Sequence, residues 1–342
     1  MNGMNPAALS AGQILKCLSA TGEELAALYA QADSVRRQIH GDAVHLRALI
    51  EFSNYCANDC LYCGIRNANT ELPRYRMTED EILASAHFIA ERTPCGTIVL
   101  QGGETPGYTD LEIGRLIRRL ATETPLAITL SIGNRPRDVY ARWRDAGLHR
   151  YLLRFETADP DLFRRIHPDC TLEERLRCLR DLKALGIQTG SGFMVGIPGE
   201  TPGILAENLL LCREMDFDMA GIGPFIPTPD TPMGGMPNIY RDDPSMPFRA
   251  YALLRLLLPR THIPATTAMD AFQPQGRWKA LQLGANVYMP NMTPLKYRNS
   301  YLLYPNKPGV ELTPEETLAR ALSRLAAMHR PTAPLTRVGD TR

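Results

Sequence analysis

The sequence lacks the long hydrophobic runs that membrane-spanning segments require. No apolar stretch approaches the roughly 18 consecutive apolar residues of a transmembrane helix, and the longest, YALLRLLLP at 251–259, contains an arginine. The N-terminal segment MNGMNPAALSAGQ has no basic part followed by an apolar part, so it does not resemble a signal peptide. These absences predict a cytoplasmic protein without a membrane partner.

The sequence also has almost no excess of charge of either sign. Its 38 lysines and arginines balance 37 aspartates and glutamates, which leaves a formal net charge of +1. No overall field therefore attracts nucleic acid, and we expect no nucleic-acid partner. With 44% hydrophobic and 22% charged residues, the composition is that of a globular protein able to bury a large core.

Eight short apolar or β-branched segments alternate with amphipathic helical patterns. The predicted strands cover residues 44–53, 97–104, 126–134, 150–157, 188–199, 219–227, 263–268 and 286–291. This alternation predicts an α/β fold, a closed (β/α)8 TIM-type barrel. An open doubly wound sheet is the alternative, but no G-x-G-x-x-G follows the first strand. The predicted parts are an N-terminal helical cap (1–42), the barrel (43–310), and a C-terminal helix with a disordered tail (311–342).

Three of the eight cysteines, Cys56, Cys60 and Cys63, lie within eight residues directly after the first predicted strand. Thiolates select zinc or iron–sulfur clusters. A structural zinc site needs a fourth ligand, usually from a second cysteine or histidine pair, and the other cysteines and the seven histidines are scattered. The spacing therefore favours one [4Fe–4S] cluster with one iron left open for substrate.

The spacing C-x3-C-x2-C, with Tyr62 before the last cysteine, resembles that of the radical S-adenosylmethionine (SAM) enzymes. The resemblance implies that SAM chelates the open iron and that an external one-electron reductant drives its cleavage to a 5′-deoxyadenosyl radical. Glycine-rich, acidic and apolar segments at later strand ends are similar to SAM-facing elements of that family. The expected SAM-binding residues are Tyr62, Gly102, Gly103, Glu104, Ser131, Asn134, Glu156, Arg175 and Met194.

Longer segments, including RYLLRFETADP, FDMAGIGPFIPTPDTP and IPATTAM, resemble the HydE family of [FeFe]-hydrogenase maturases, which is related to biotin synthase and methylornithine synthase. The resemblance covers about residues 10–310 and implies a role in assembling the di-iron subcluster of the hydrogenase H-cluster. It implies an organometallic or other small-molecule substrate and other maturases as partners. The substrate-facing residues it implies are Arg47, Arg154, Thr266, Thr267, Met289, Tyr301 and Tyr304.

Two positions depart from the family pattern: Phe155 stands where a histidine is expected, and Asn134 where a glutamate is expected. Both departures favour an alternative, a HydE-like or methylornithine-synthase-like enzyme that acts on an organic amino acid. No cysteine follows Cys212, so a second cluster found in some maturases is not expected. A non-enzymatic iron–sulfur scaffold is a third hypothesis, although a scaffold has no need of the SAM-facing elements.

Overall fold

Parallel strands form the centre of the computed structural model, which describes residues 6–105 and 107–335. The strands are β1 (His45–Leu46), β2 (Ala48–Ser53), β3 (Thr97–Gly102), β4 (Ala127–Ser131), β5 (Arg150–Leu152), β6 (Gln188–Ser191), β7 (Met194–Val195), β8 (Met219–Ala220), β9 (Gly223–Pro224) and β10 (Val287–Tyr288). Strands β2, β3, β4, β5, β6 and β8 pair in that order into one sheet, and every pairing within it is parallel.

Single bridges close this sheet into a barrel. Met219 in β8 bridges His262, and Pro264 bridges Val287 in β10, so residues 262–264 occupy the seventh strand position. Strand β10 then pairs with β1, which continues into β2 after one residue. The predicted TIM-type barrel is confirmed, with a seventh strand far shorter than predicted because Pro264 has no N–H to donate to a ladder.

Helices cover the outside of the barrel. They are α1 (Ala11–Leu18), α2 (Gly22–His40), α3 (Glu79–Arg92), α4 (Asp110–Glu123), α5 (Arg137–Asp145), α6 (Pro160–Ile166), α7 (Leu172–Ala184), α8 (Pro202–Met215), α9 (Met246–Leu257), α10 (Ala268–Phe272), α11 (Gly276–Leu281), α12 (Leu295–Arg298) and α13 (Pro314–Ala327), after a 3-10 turn at Pro6–Ala8. Helices α1, α3, α4, α7 and α13 each begin with a capping box, which satisfies their first backbone N–H groups.

The two N-terminal helices pack against the barrel helices α8 and α9. Helix α9 is consequently buried along its whole length, including the charged residues Arg249 and Arg255. At the other end of the chain, Thr332 bridges Val44, and Ala333 donates a hydrogen bond to the Val44 carbonyl. Residues 331–333 of the predicted disordered tail are therefore paired with the barrel, whereas residues 1–5 and 336–342 lie outside the described residues.

One continuous apolar core fills the space between the sheet and its helices. Strand β2 is buried at all six positions, as expected for a parallel strand covered on both faces. Among the described residues, none of the helices combines the length and apolarity that crossing a bilayer would demand.

Candidate active site

The three clustered cysteines line a cavity of about 280 Å³ at the carboxyl ends of the strands, which we call the upper cavity. They lie on the loop that follows β2, held by buried Asn54, whose Nδ2 donates to the carbonyls of Pro73 and Ser300 at 2.8 and 2.6 Å. Arg74 donates to the carbonyls of Asn54 and Ile65 from the inside of the same loop. Its guanidinium satisfies backbone groups that an irregular, partly buried loop would otherwise leave unpaired.

The chemistry of these thiols fits an iron–sulfur cluster. Burial and mutual repulsion raise the pKa of both Cys60 and Cys63, so thiolates at these positions need a cationic group beside them. Among the described residues, no three His, Cys, Asp or Glu side chains are arranged to hold a single metal ion. A cubane cluster spreads its irons over several ångströms, so its cysteines need not converge on one point.

His167 contacts this cysteine loop and was not identified from the sequence. Its Nδ1 lies 3.1 Å from Cys60 Sγ, and its Nε2 lies 2.9 Å from the Tyr62 hydroxyl. The ring stacks on Phe163 with centroids 4.6 Å apart. Burial lowers the pKa of His167 well below its usual value, so the ring is neutral and has one donor and one acceptor nitrogen.

The glycine-rich segment after β3 forms the floor beside the cysteines. A Cβ added at Gly103 would lie 2.3 Å from the Tyr55 carbonyl oxygen and 2.5 Å from Cys56 Cβ, so only glycine fits there. The carbonyl of Glu104 accepts a hydrogen bond from the Ala57 N–H, and its side chain accepts one from Asn58. This segment therefore holds the cysteine loop in place in addition to facing the cavity.

Glu156 has an oxygen open to a ligand. Its backbone φ is +64°, a conformation that non-glycine residues adopt rarely and mostly where function requires it. Its Oε2 lies 3.1 Å from an Arg154 nitrogen but accepts no hydrogen bond, although it is buried. Burial raises the pKa of Glu156, and the nearby Arg154 and Arg175 oppose that rise. An ammonium or hydroxyl donor of a ligand would satisfy this oxygen, and the SAM contact expected for Glu156 stays a prediction.

A buried ion pair lies behind the aromatic wall of the upper cavity. Lys307 Nζ is 2.5 Å from Glu51 Oε1, and both side chains are almost fully buried. Lys307 also donates to the Tyr301 carbonyl at 2.9 Å, while the Tyr301 hydroxyl accepts from Gln101 at 3.2 Å. The segment that carries the two cavity tyrosines is thereby attached to the barrel interior.

The structure brings most of the predicted site residues together. Those that line the upper cavity are Cys56, Cys60, Tyr62, Cys63, Gly102, Gly103, Glu104, Ser131, Arg154, Glu156, Arg175, Met194, Tyr301 and Tyr304. Sequence reasoning missed His167, Asn58 and Gln101, which line it as well.

Five predicted residues lie elsewhere. Thr267 and Met289 line a separate cavity of about 370 Å³ beside α13. The Thr266 hydroxyl donates to the Ile222 carbonyl at 2.7 Å. Asn134 does not line the upper cavity, and its Oδ1 is buried without a hydrogen-bond partner. Arg47 lies at the opposite end of the barrel, where it lines a different cavity.

That cavity, of about 400 Å³, lies at the amino ends of the strands, and we call it the lower cavity. Arg47 Nη1 is 3.1 Å from the thioether sulfur of Met219. Burial lowers the pKa of Arg47 to about 9. His45 and His262 line the same space with ring centroids 4.7 Å apart, and burial lowers the pKa of both.

Phe155, which stands where the family pattern has a histidine, is part of the apolar core. The ring is fully buried and packs against Phe193 and Phe217, with centroids 5.8 and 6.4 Å away. Neither Phe155 nor Asn134 lines the upper cavity in the described structure. These two departures therefore do not alter the residues that surround the cysteines.

Comparisons with known proteins agree with this geometry. The profile of the Radical SAM superfamily matches residues 50–212. The [FeFe] hydrogenase maturase subunit HydE of Thermotoga maritima is 50% identical over 281 residues, 82% of this chain and 79% of that protein. Among solved structures, methylornithine synthase (PylB) superposes with a TM-score of 0.83 at 25% identity, covering 96% of this chain and 95% of that one. The maturase HydG from Carboxydothermus hydrogenoformans shares the fold, with a TM-score of 0.77 at 24% identity over 94% of this chain and 75% of that one. The chain belongs to the radical SAM superfamily and, within it, to the family of the [FeFe]-hydrogenase maturase subunit HydE.

Proposed function

We propose that this protein cleaves SAM reductively in the assembly of the di-iron subcluster of [FeFe]-hydrogenase. As a radical SAM enzyme, it uses a [4Fe–4S] cluster and SAM. The observation that carries the proposal is the 50% identity to HydE, which extends over 82% of the chain. The Radical SAM match at residues 50–212 includes the cysteine loop. The bound cluster supplies the electron that breaks a carbon–sulfur bond of SAM, and the protein supplies the surroundings.

Each part of the upper cavity has a separate task in this proposal. The thiolates of Cys56, Cys60 and Cys63 hold the cluster. The oxygen of Glu156 that lacks a hydrogen-bond partner accepts a hydrogen bond from SAM, and Arg154 opposes the rise that burial causes in the pKa of Glu156. The buried walls exclude water, which strengthens these interactions and protects a radical from side reactions.

The substrate in this proposal lies between SAM and the wall formed by Arg154, Tyr301 and Tyr304. A guanidinium that is only partly exposed favours an anionic group, and the two hydroxyls add hydrogen bonds. A small organometallic or other anionic molecule suits that combination. The proposal includes other maturases as partners and an external one-electron reductant. It also places the reaction in the cytoplasm, where the eight free cysteines stay reduced.

The second candidate is a radical SAM reaction on an organic amino acid. The observation that favours it is the TM-score of 0.83 to methylornithine synthase, which covers nearly the whole of both chains. An amino-acid carboxylate would suit the same arginine and tyrosines. The lower identity of 25% to that enzyme makes it the weaker candidate.

The first experiment tests SAM cleavage. The protein is reconstituted anaerobically with iron and sulfide, reduced and mixed with SAM, and 5′-deoxyadenosine is measured. We expect product from the wild type and from Cys17→Ala, because Cys17 lies on α1 away from the cavity. We expect none from Cys60→Ala. A cluster that assembles but neither binds nor cleaves SAM contradicts an enzymatic function and supports a scaffold.

The second experiment separates the two candidates. Apo-hydrogenase is incubated with the other maturases and either this protein or its Cys60→Ala variant, and hydrogenase activity is measured. Activity that depends on the wild-type protein supports the maturase. A protein that cleaves SAM but never activates the hydrogenase favours the amino-acid reaction.

A further inference from the structure

Two hydrogen bonds from backbone N–H groups of the cysteine loop attach it to the end of α6 and to the connection between α6 and α7. The Leu61 N–H donates to the Ile166 carbonyl at 2.9 Å. The Asp59 N–H donates to Asp169 Oδ2 at 2.5 Å. Two points of attachment on either side of residue 60 fix the position of this loop relative to the last residue of α6. His167, the next residue, therefore meets Cys60 in a defined geometry.

The hydrogen bonds of His167 have one arrangement once Cys60 binds iron. A thiolate sulfur has no proton, so it can only accept, and the proton must be on Nδ1, 3.1 Å away. In a neutral ring the other nitrogen is then an acceptor. Nε2 accepts from the Tyr62 hydroxyl at 2.9 Å. Tyr62 thus holds the tautomer, and the stack on Phe163 holds the plane of the ring.

We propose that His167 is a positioning residue that raises the reduction potential of the cluster by donating an N–H hydrogen bond to Cys60 Sγ. This inference rests on the proposed function, because it requires a cluster on the three cysteines. Reduction adds negative charge to the cluster, and a hydrogen bond to a ligating sulfur stabilises the more negative state. The role goes beyond holding the metal, because it determines how strong a reductant the enzyme needs.

Two substitutions of His167 each remove one of the two hydrogen bonds of its ring and keep the other. The amide nitrogen of asparagine can take the place of Nδ1, so His167→Asn keeps a donor to Cys60 and loses the contact with Tyr62. The amide of glutamine reaches the place of Nε2, so His167→Gln keeps a group near Tyr62 and loses the donor to sulfur. Both variants introduce a neutral amide, which makes each the control for the other.

The measurement is the midpoint potential of the reconstituted cluster, from a redox titration followed by electron paramagnetic resonance without SAM. We expect His167→Gln to have a lower potential, with a reduction equilibrium about tenfold less favourable, which corresponds to about 59 mV for one electron. His167→Asn should stay close to the wild type. Tyr62→Phe should shift the potential in the same direction by a smaller amount, because Nε2 then has no donor from Tyr62 and the tautomer with the proton on Nδ1 is less strongly favoured.

Three results would overturn the proposal. One is an unchanged potential in His167→Gln at full iron content. Another is an equal shift in both His167 variants, because only one of them lacks the donor. The third is loss of the cluster from both, which makes His167 a residue of loop folding. A wild-type protein that forms no cluster is a different result, which contradicts the proposed function instead.

Discussion

Each end of this barrel has an arginine in its cavity, Arg47 buried and Arg154 partly buried, but the surroundings of the two differ. In the upper cavity, Arg154 lies 3.1 Å from the Glu156 carboxylate, and buried Lys307 behind it is paired with Glu51 at 2.5 Å. In the lower cavity, the closest polar partner of Arg47 is the thioether of Met219, and partly buried histidines, Arg150 and Asp218 line the same space. Burial and the nearby Arg150 lower the pKa of Arg47 to about 9, although Asp218 opposes that shift, whereas Arg154 and Lys307 at the upper end each lie within 3.1 Å of a carboxylate oxygen.

This difference shows that burial of charge alone does not identify the active site. A buried charge indicates a binding site when opposite charges and open hydrogen-bonding atoms converge with it, as at Glu156 and the cysteines. The lower cavity is larger, about 400 Å³ against 280 Å³, but it contains none of the three clustered cysteines. From this difference we expect that removing a cation lowers stability or activity at the upper end, and that removing Arg47 at the lower end keeps or raises the free energy of unfolding.

The largest effect is expected at the ion pair behind the upper cavity. Lys307→Met leaves the Glu51 carboxylate buried without its cation, and breaking a buried pair in this way costs about 3–5 kcal/mol of unfolding free energy. Lys296→Met is a matched control, because Lys296 is also 2.5 Å from a glutamate, Glu81, but is 63% exposed. An exposed pair contributes less than about 1 kcal/mol. Urea unfolding measures both variants.

The double variant Glu51→Gln/Lys307→Met completes this test. In the single variant the Glu51 carboxylate is buried without a cation, and this unpaired charge is what lowers the stability. The double variant has neither charge, so we expect it to recover most of the lost free energy of unfolding. A double variant as unstable as Lys307→Met would show that the lysine contributes through packing around Tyr301 rather than through its charge.

The second prediction concerns the floor of the upper cavity. Gly103→Ala places a Cβ within 2.5 Å of Cys56 Cβ, which must displace the cysteine loop. A displacement of about 1 Å at a reacting centre can lower the rate about 100-fold, and we expect that loss in 5′-deoxyadenosine formation. Gly114→Ala in α4 is the control, because its Cβ would have only an ordinary 3.7 Å contact with Trp143. Full activity and iron content in Gly103→Ala would contradict the described geometry.

Much of the upper cavity is predictable because its signals are local in sequence. The three cysteines lie within eight residues, and most of the other predicted SAM-facing residues lie at or just after strand ends, which meet at one edge of a parallel barrel. His167, Arg74 and Lys307 gave no such signal. Their roles depend on contacts with segments that are distant in the chain or irregular, and hydrophobic periodicity carries no information about those contacts.

The placement of Arg47 was missed for a geometric reason. An alternating strand pattern indicates that a residue faces inward but not how far along the barrel axis it lies. Arg47 precedes Ser53, the last residue of β2, by six positions, and a strand rises about 3.3 Å per residue. The two residues are therefore separated by roughly 20 Å, which puts Arg47 at the lower end. Arg154, in contrast, follows the last residue of β5 and reaches the upper cavity.

The third prediction tests the pairing of Arg154 in the upper cavity. Arg154→Met removes the cation beside Glu156, so the raised pKa of that carboxyl should rise further. A weaker hydrogen bond to a less charged acceptor should raise the KM for SAM about tenfold. Arg164→Met, at an exposed surface pair on α6, is the control and should leave KM unchanged. An equal KM for SAM in Arg154→Met and Arg164→Met would contradict a contribution of Glu156 to SAM binding.

The smallest effect is expected for Arg47 in the lower cavity, and its sign should be the opposite. Among the described residues Arg47 forms no ion pair within 4.0 Å, and Asp218 only partly opposes the effect of burial on its pKa. Replacing this cation removes a desolvation cost, so Arg47→Met should keep or raise the unfolding free energy at pH 7, by about 1 kcal/mol. The pKa of Arg47 is about 9 when folded and about 12.5 when unfolded. Between these values the unfolded chain binds more protons, so the wild type gains stability as the pH rises above 9. The difference between wild type and variant should therefore narrow between pH 7 and 10 in urea unfolding. If Arg47→Met were less stable than the wild type at pH 7, the surroundings of Arg47 would stabilise its charge as well as Glu156 stabilises that of Arg154. The two ends of the barrel would then not differ in how they stabilise a cation.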